Sequence, residues 1–201
     1  MGSDDNWSDA QNWSLKRPPK ESDDAVITNM THNGFVNQDV NATIKNLTIN
    51  PGAELIIPDR IKLQINGDTI TVDGLLKLNS NGRGYTTLSI EGSIVTLKGS
   101  GSLTMSDSFR NYVLLNGKTF INQLSSTQGI QGSGNIFGSQ VALENVGVIN
   151  AIGQKQPLLI FPSTMMNAGV LEGSAGLLII LLTGHCQHEK RLDRWNRAIN
   201  R

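Results

Sequence analysis

Arg60, Tyr85 and Arg110 recur at intervals of 25 residues, and they are residue types that can bind an acidic sugar. A guanidinium group pairs with a carboxylate through two parallel hydrogen bonds, and a tyrosine ring offers a flat apolar surface for stacking. If residues 25 apart become neighbours, the three side chains form a ligand-binding stripe. The alternative is a solvated face on which arginine packs against tyrosine by cation–π contact.

The acidic residues do not form a catalytic pair in the sequence. A glycosidase needs two carboxyl groups about 5 Å apart when it retains configuration, and a larger separation when it inverts. Under the 25-residue spacing, no two of these carboxylates share a position: Asp59, Asp68, Asp73, Glu91, Asp107, Glu144 and Glu172. No Gly-Lys-Ser/Thr phosphate loop and no convincing Ser/His/Asp set are evident. We therefore predict no catalytic residue.

His185, Cys186 and His188 stand close enough in sequence to hold a metal ion. A zinc site needs three or four protein ligands held in a fixed cage. No fourth ligand is evident near these three residues. We predict neither a metal site nor a cofactor, and expect only adventitious metal binding there.

The spacing of 25 comes from three consecutive blocks, which are residues 43–67, 68–92 and 93–117. Each block ends in the pattern apolar-x-apolar-polar-Gly, at Gly67, Gly92 and Gly117. Within each block, apolar residues alternate with polar ones over three short stretches, which is the period of a β-strand. A fixed period of this size with internal alternation predicts a solenoid of stacked coils.

We therefore predict an all-β protein, a right-handed single-stranded parallel β-helix of about six or seven coils over residues 25–182. Residues 1–24 contain Trp7 and Trp13, which we expect to cap the open first coil, with sugar stacking as the alternative. Residues 183–201 are basic, with apolar residues at helical spacing, and predict a short C-terminal helix. That helix either caps the last coil, lies on a membrane surface or is foreign to the solenoid.

Equivalent block positions predict which side chains become neighbours. The interior column contains Leu63, Leu88 and Val113. On the surface, Asp73 should lie beside Lys98 on the adjacent coil. The residues before the terminal glycines should form a hydrogen-bonded row of Asn66, Glu91 and Asn116.

The composition excludes several classes of protein. Lys plus Arg and Asp plus Glu both number 17, so no overall field draws in nucleic acid. The single cysteine rules out an internal disulfide, and the longest apolar run, residues 177–182, is far shorter than the roughly 18 residues of a membrane span. The N-terminal sequence is no signal peptide, so we expect either an intracellular protein or, preferably, a mature segment.

The paired Trp7 and Trp13, followed by Asp23-Asp24-Ala-Val-Ile and Leu47-Thr-Ile-Asn-Pro-Gly, resemble the start of bacterial secreted β-helix modules. Asn145-Val-Gly147 and Asn167-Ala-Gly169 resemble the degenerate repeats of autotransporter passenger domains and filamentous-haemagglutinin-like adhesins. The resemblance covers roughly residues 5–180 and is architectural. It implies an exported rod displayed at the bacterial surface.

Two functions fit these observations. The first is a non-enzymatic, extracellular stalk or adhesive segment whose partner is a cell-surface glycan or a host protein. The second is a polysaccharide lyase or hydrolase that uses a groove beside Arg60, Tyr85 and Arg110. A third hypothesis is a solenoid that self-associates through its coil ends or its tail. Converging charged side chains in a concave surface would favour the enzyme.

Overall fold

The computed structural model describes residues 5–29 and 35–183, and these residues form a parallel β-solenoid of about seven coils. The first four coils each contribute three separate strands. In chain order they are β1 Asp24–Ile27, β2 Phe35–Asn37, β3 Ala42–Ile44, β4 Asn46–Ile49, β5 Glu54–Pro58, β6 Lys62–Ile65, β7 Thr69–Val72, β8 Leu75–Asn79, β9 Thr86–Ile90, β10 Ile94–Gly99, β11 Ser102–Met105 and β12 Asn111–Leu115. This architecture confirms the predicted single-stranded parallel β-helix.

The remaining coils contain two long strands that each turn a corner. The strands are β13 Thr119–Leu124, β14 Ile130–Gly132, β15 Gly134–Asn145, β16 Val148–Ala151, β17 Leu158–Asn167, β18 Val170–Glu172 and β19 Leu178–Ile180. In β15 the register with β17 shifts between Gly138 and Ala142, where the strand passes from one face of the solenoid to the next. The N-terminal part of β15 pairs with β12, and its C-terminal part pairs with β13.

Three parallel faces therefore run along the axis. The first face contains β1, β4, β7, β10, β13 and the C-terminal parts of β15 and β17. The second contains β2, β5, β8, β11, β14, β16 and β18, and the third contains β3, β6, β9, β12, the N-terminal parts of β15 and β17, and β19. We call the turns after the first, second and third faces the first, second and third corners.

The interior is a continuous column of aliphatic side chains. Leu63 pairs with Leu88, and Leu88 pairs with Val113, and all three are fully buried. This confirms that the three blocks wind as successive coils. Alternate residues of each strand point inward, so burying each leucine or valine contributes about 1.5–3 kcal/mol of transfer free energy.

Polar side chains also enter the interior, in a row along the first face that we call the asparagine ladder. Asn122 donates to the amide oxygen of Asn145 at 2.7 Å, and Asn145 donates to that of Asn167 at 2.7 Å. Asn122 and Asn145 are buried, whereas Asn167 on the last coil is exposed. The ladder satisfies amide groups whose burial without partners would cost free energy.

The third corner explains the glycine that ends each block. A Cβ atom added to Gly92 would lie 2.1 Å from the carbonyl oxygen of Gly67 on the preceding coil. The same substitution at Gly117 would bring a Cβ atom equally close to the carbonyl oxygen of Gly92. These corners stack so closely that only a residue without a side chain fits.

The predicted pair of Asp73 and Lys98 is wrong. Lys98 pairs with Thr71, while Asp73 accepts hydrogen bonds from the backbone N–H and the hydroxyl of Ser100 at 2.9 and 3.0 Å. Ile70 pairs with both Leu47 and Leu97, so coils on this face differ by 23 and 27 residues instead of 25. The third face keeps the 25-residue spacing from β6 to β12, so the shift arises after Gly92, where β10 begins at Ile94 but pairs with β7 only from Thr96.

The predicted polar row is confirmed over one step. Asn116 donates to the carboxylate of Glu91 at 3.0 Å, whereas Asn66 accepts from Gln64 of its own strand at 3.0 Å.

The N-terminal segment packs on the first coil through its two tryptophans. Trp7 is buried in the core, and its backbone N–H donates to the carbonyl oxygen of Asn37 in β2 at 2.8 Å. Trp13 donates from its indole N–H to the carbonyl oxygen of Trp7 at 2.8 Å, and the two rings meet edge to face with centroids 4.8 Å apart. With 1% of its surface exposed, Trp7 has no free face for a sugar.

At the other end, the inward side chains of the last coil are only partly buried, among them Met165, Leu171, Leu178 and Ile180. The predicted C-terminal helix and the group of His185, Cys186 and His188 lie outside the described residues. Within the described ranges the only helix is a single 3-10 turn, Ala10–Asn12, so none of their helices could span a membrane.

Candidate functional site

The second corner carries the residues singled out by the 25-residue spacing. Arg60 lies between β5 and β6, Tyr85 directly precedes β9, and Arg110 directly precedes β12. The stacked strands thus bring the corresponding turns of three successive coils to one edge of the solenoid. The structure brings Tyr85 and Arg110 together and places Arg60 at the same corner, one coil nearer the N-terminus.

Arg110 lies between two aromatic rings. Its guanidinium carbon is 5.3 Å from the centroid of Tyr85 and 5.2 Å from that of Phe109. Tyr112 meets Tyr85 edge to face, with centroids 5.4 Å apart and the ring planes at 82°. We call these four residues, Tyr85, Phe109, Arg110 and Tyr112, the aromatic corner. The cation–π contact that sequence reasoning offered as the alternative is therefore present.

Hydrogen bonds to its backbone groups hold the turn that presents the aromatic corner. Asn135, from the next coil, donates to the carbonyl oxygen of Phe109 at 2.7 Å. The hydroxyl of Ser108 accepts from the backbone N–H of Arg110 at 3.2 Å, and the carbonyl oxygen of Arg110 accepts from Thr86 at 3.0 Å. Because contacts to both adjacent coils fix this turn, the rings are presented by a rigid scaffold.

Arg110 has no acidic partner among the described residues. Its Nε atom is buried without a hydrogen-bond partner, and none of the ion pairs in the described ranges includes it. Arg60 differs, since its Nε atom lies 3.8 Å from a carboxylate oxygen of Asp59. The stem of Arg60 crosses Gly84, where an added Cβ atom would lie 2.3 Å from Arg60 Cγ.

The carboxylates of this corner serve the backbone of their own turns. Asp107 accepts from the backbone N–H groups of Gln154, Lys155 and Gln156 at 2.9–3.1 Å, and from the hydroxyl of Ser133 at 3.1 Å. Burial raises the pKa of the Asp107 carboxyl, but these four hydrogen bonds lower the pKa by more, so it lies below its ordinary value. Asp59 likewise accepts from the backbone N–H of Gly84 at 3.1 Å.

Sequence reasoning missed Phe109 and Tyr112, which complete the aromatic corner. It also missed an outward row on the third face, where Leu114 pairs with Phe137 and Phe137 pairs with Phe161. The rings of Phe137 and Phe161 have centroids 6.2 Å apart, and 42% of Phe137 is exposed. The chain contains only five Phe and two Tyr residues, so two aromatic residues beside Arg110 were a usable signal.

Two concavities lie elsewhere on the solenoid, and charged side chains line both. A cavity of about 370 Å³ under the N-terminal segment is lined by Trp13, Arg17 and Asp23, among others, but Arg17 and Asp23 form an ion pair. That pair lowers the pKa of Asp23 to about 2. An open groove at the third corner contains Lys45 and Asp68. No group of three or more His, Cys, Asp or Glu side chains within the described ranges could hold a metal ion.

The comparisons with known proteins place the chain in a family without assigning an activity. Residues 1–125 match the model of a family described as a domain of unknown function, DUF8693. This range includes the aromatic corner. No curated protein and no solved structure matches the chain. Because the match covers more than half of the 201 residues, the chain belongs to the DUF8693 family.

Proposed function

We propose that this chain is a non-enzymatic, extracellular segment of a bacterial surface protein, in which the solenoid is a rigid stalk and the aromatic corner is an adhesive surface. The observation that carries the proposal is the exposure of aromatic rings on that corner. Tyr85 and Phe109 are 56% and 47% exposed, although the chain has few aromatic residues. Exposed aromatic residues grouped on a rigid scaffold are typical of recognition surfaces.

The carboxylates at the second corner already accept hydrogen bonds from the protein, which supports a binding function over a catalytic one. General acid or nucleophilic work on a glycosidic bond requires two carboxyl groups that face the substrate. Asp107 and Asp59 instead hold backbone N–H groups of the turns. The resemblance to secreted β-helix adhesins, carried by the repeats, supports the assignment to the cell surface.

A glycan array tests this proposal. We expect the purified chain to bind a subset of glycans, and the variant Tyr85→Ala to lose that binding while keeping the wild-type melting temperature. Lys98 is exposed on the first face, away from the aromatic corner, so Lys98→Ala serves as the control and should bind like the wild type. Binding to no glycan would remove the adhesive role, and release of new reducing ends or unsaturated products from a bound glycan would contradict the non-enzymatic assignment.

A further inference from the structure

We propose that the aromatic corner binds an acidic saccharide, with Arg110 holding its carboxylate or sulfate group and the rings of Tyr85 and Phe109 holding the sugar. The inference rests on the adhesive function proposed above and specifies the ligand class of the same surface.

Arg110 carries a positive charge that no acidic side chain of the described residues neutralises. A guanidinium group carries five N–H donors, and a protein normally satisfies those that it buries. Arg110 Nε is buried without an acceptor, and none of the ion pairs in the described ranges involves this residue. Asp107, the nearest acid in sequence, is occupied by the loop at residues 154–156. The cation is therefore available to an external anion, which would pair with its terminal Nη1 and Nη2 atoms.

Tyr85 and Phe109 provide exposed ring surfaces beside this charge. Tyr85 and Phe109 flank the guanidinium and remain about half exposed, while Tyr112 braces Tyr85 edge-on. An inorganic anion would need the cation but no rings, and a neutral sugar would need rings but no cation. A ligand that uses both has a flat, partly apolar body joined to an acid group, which describes a uronate or a sulfated sugar.

The strand pairing favours a saccharide over an acidic peptide. Extended peptides are usually bound by adding a strand to a free sheet edge. At this corner the adjoining strands β9 and β12 are already paired on both sides, β9 with β6 and β12, and β12 with β9 and β15. Recognition there depends on side chains, which suits a sugar.

Further cations line the same corner. Arg60 precedes the site by one coil, Arg83 lies in the Tyr85 turn, and Lys155 lies in the loop bound by Asp107, all on exposed positions. Successive coils are about 4.8 Å apart, so an acidic polymer lying along the axis would meet a cation on several coils. We therefore expect an oligosaccharide to bind more tightly than a single acidic sugar.

Isothermal titration calorimetry tests the inference with four probes: an oligogalacturonide, a heparin-derived oligosaccharide, maltohexaose and a glutamate peptide. At least one of the two acidic saccharides should bind, and maltohexaose should bind more weakly. Arg110→Gln should weaken the acidic saccharide about tenfold or more, and Tyr85→Ala should weaken it as well. Lys98→Gln removes the same charge from the first face and should change the affinity by less than about twofold. Thermal unfolding of each variant confirms that it is folded.

The outcomes separate this inference from the proposed function. Binding of maltohexaose that depends on Tyr85 but not on Arg110 would overturn the acidic ligand class and leave the adhesive function standing. Arg110-dependent binding of the glutamate peptide at the affinity of the saccharides would overturn the saccharide class. Acidic saccharide binding that Arg110→Gln leaves unchanged would overturn the site. Binding of none of the four probes would overturn the inference, and the glycan array then decides the adhesive function separately.

Discussion

Asn122 donates a 2.7 Å hydrogen bond to the side-chain oxygen of Asn145 inside the solenoid, one coil away. Asn145 continues the row, since it donates to the side-chain oxygen of Asn167 at the same distance. Each amide thus serves as donor and acceptor, and the row ties the last three coils together. Removing its central member should cost more than removing a polar residue on the outer surface.

We predict that Asn145→Ala lowers the free energy of unfolding by about 1–3 kcal/mol, because it removes the 2.7 Å acceptor of the buried Asn122 amide and the side-chain donor to the carbonyl oxygens of Gly147 and Val170. Asn116→Ala removes an exposed member of the outer row and should cost less than about 1 kcal/mol. Urea unfolding followed by circular dichroism measures both. Equal losses from the two variants would show that the interior ladder contributes no special stability.

The third-corner glycines give a second prediction. Gly92→Ala places a Cβ atom 2.1 Å from the carbonyl oxygen of Gly67 and 2.7 Å from a methyl group of Val95. Relieving this overlap requires the coils to separate, so we expect a loss of about 1–3 kcal/mol or more in unfolding free energy. Ser93→Ala, at the adjacent exposed position, should change it by less than about 0.5 kcal/mol. A fully stable Gly92→Ala protein would contradict the close stacking.

The Asp107 carboxylate predicts a pH dependence for the loop at residues 154–156. Its pKa is lowered below the ordinary 3.8, so the folded state favours the charged form. The resulting stabilisation is present above pH 3.8 and is lost as the pH falls through the lower folded pKa. Hydrogen exchange of the loop amides should therefore be slow near neutral pH and lose protection in acid.

Two variants test the assignment of that effect to Asp107. Asp107→Asn should reduce the protection of these amides near neutral pH and remove most of the change on acidification. Lys155→Ala keeps its backbone N–H donor to Asp107 and should preserve the wild-type profile. An unaltered profile in Asp107→Asn would assign the acid effect to other groups, among them Asp39, whose pKa is also lowered.

The N-terminal cap gives a fourth prediction. Trp7 is fully buried against the first coil, so Trp7→Ala should cost about 3–5 kcal/mol and open β1 and β2 to hydrogen exchange before the later coils. Leu15, in the same segment, is 65% exposed, and Leu15→Ala should leave exchange of the first coil unchanged. Unaltered protection of β1 in Trp7→Ala would mean that the segment covers the coil without stabilising it.

The period of the sequence predicted the fold because each coil must place aliphatic side chains at the same interior positions. Leu63, Leu88 and Val113 occupy the same slot, and the block-ending glycines are required by the contact between successive corners. The pairing of Asp73 with Lys98 failed because the 25-residue spacing holds on the third face from β6 to β12 but not on the first, where successive coils differ by 23 and 27 residues. Two extra residues at the start of β10 shift its pairing with β7 by two positions, so Asp73 meets Ser100.

The candidate site was predictable only in part, since spacing identifies positions and says nothing of side-chain direction. It correctly brought Arg110 to Tyr85, yet Arg60 turns to its own neighbour Asp59 in a left-handed backbone conformation, with a φ of 67°. Phe109 and Tyr112 lie outside the 25-residue column and join the site through the shape of the turn. Predicting the asparagine ladder would have required knowing which side chains point inward in the last coils, where the paired Asn145 and Asn167 are 22 residues apart.

A crystal structure of the chain with the tightest-binding acidic oligosaccharide tests the central claim most directly. We predict a sugar ring stacked on Tyr85 or Phe109, with its carboxylate or sulfate within hydrogen-bond distance of the Arg110 guanidinium. An oligosaccharide bound elsewhere, such as the groove that contains Lys45 and Asp68, with the aromatic corner empty, would contradict it.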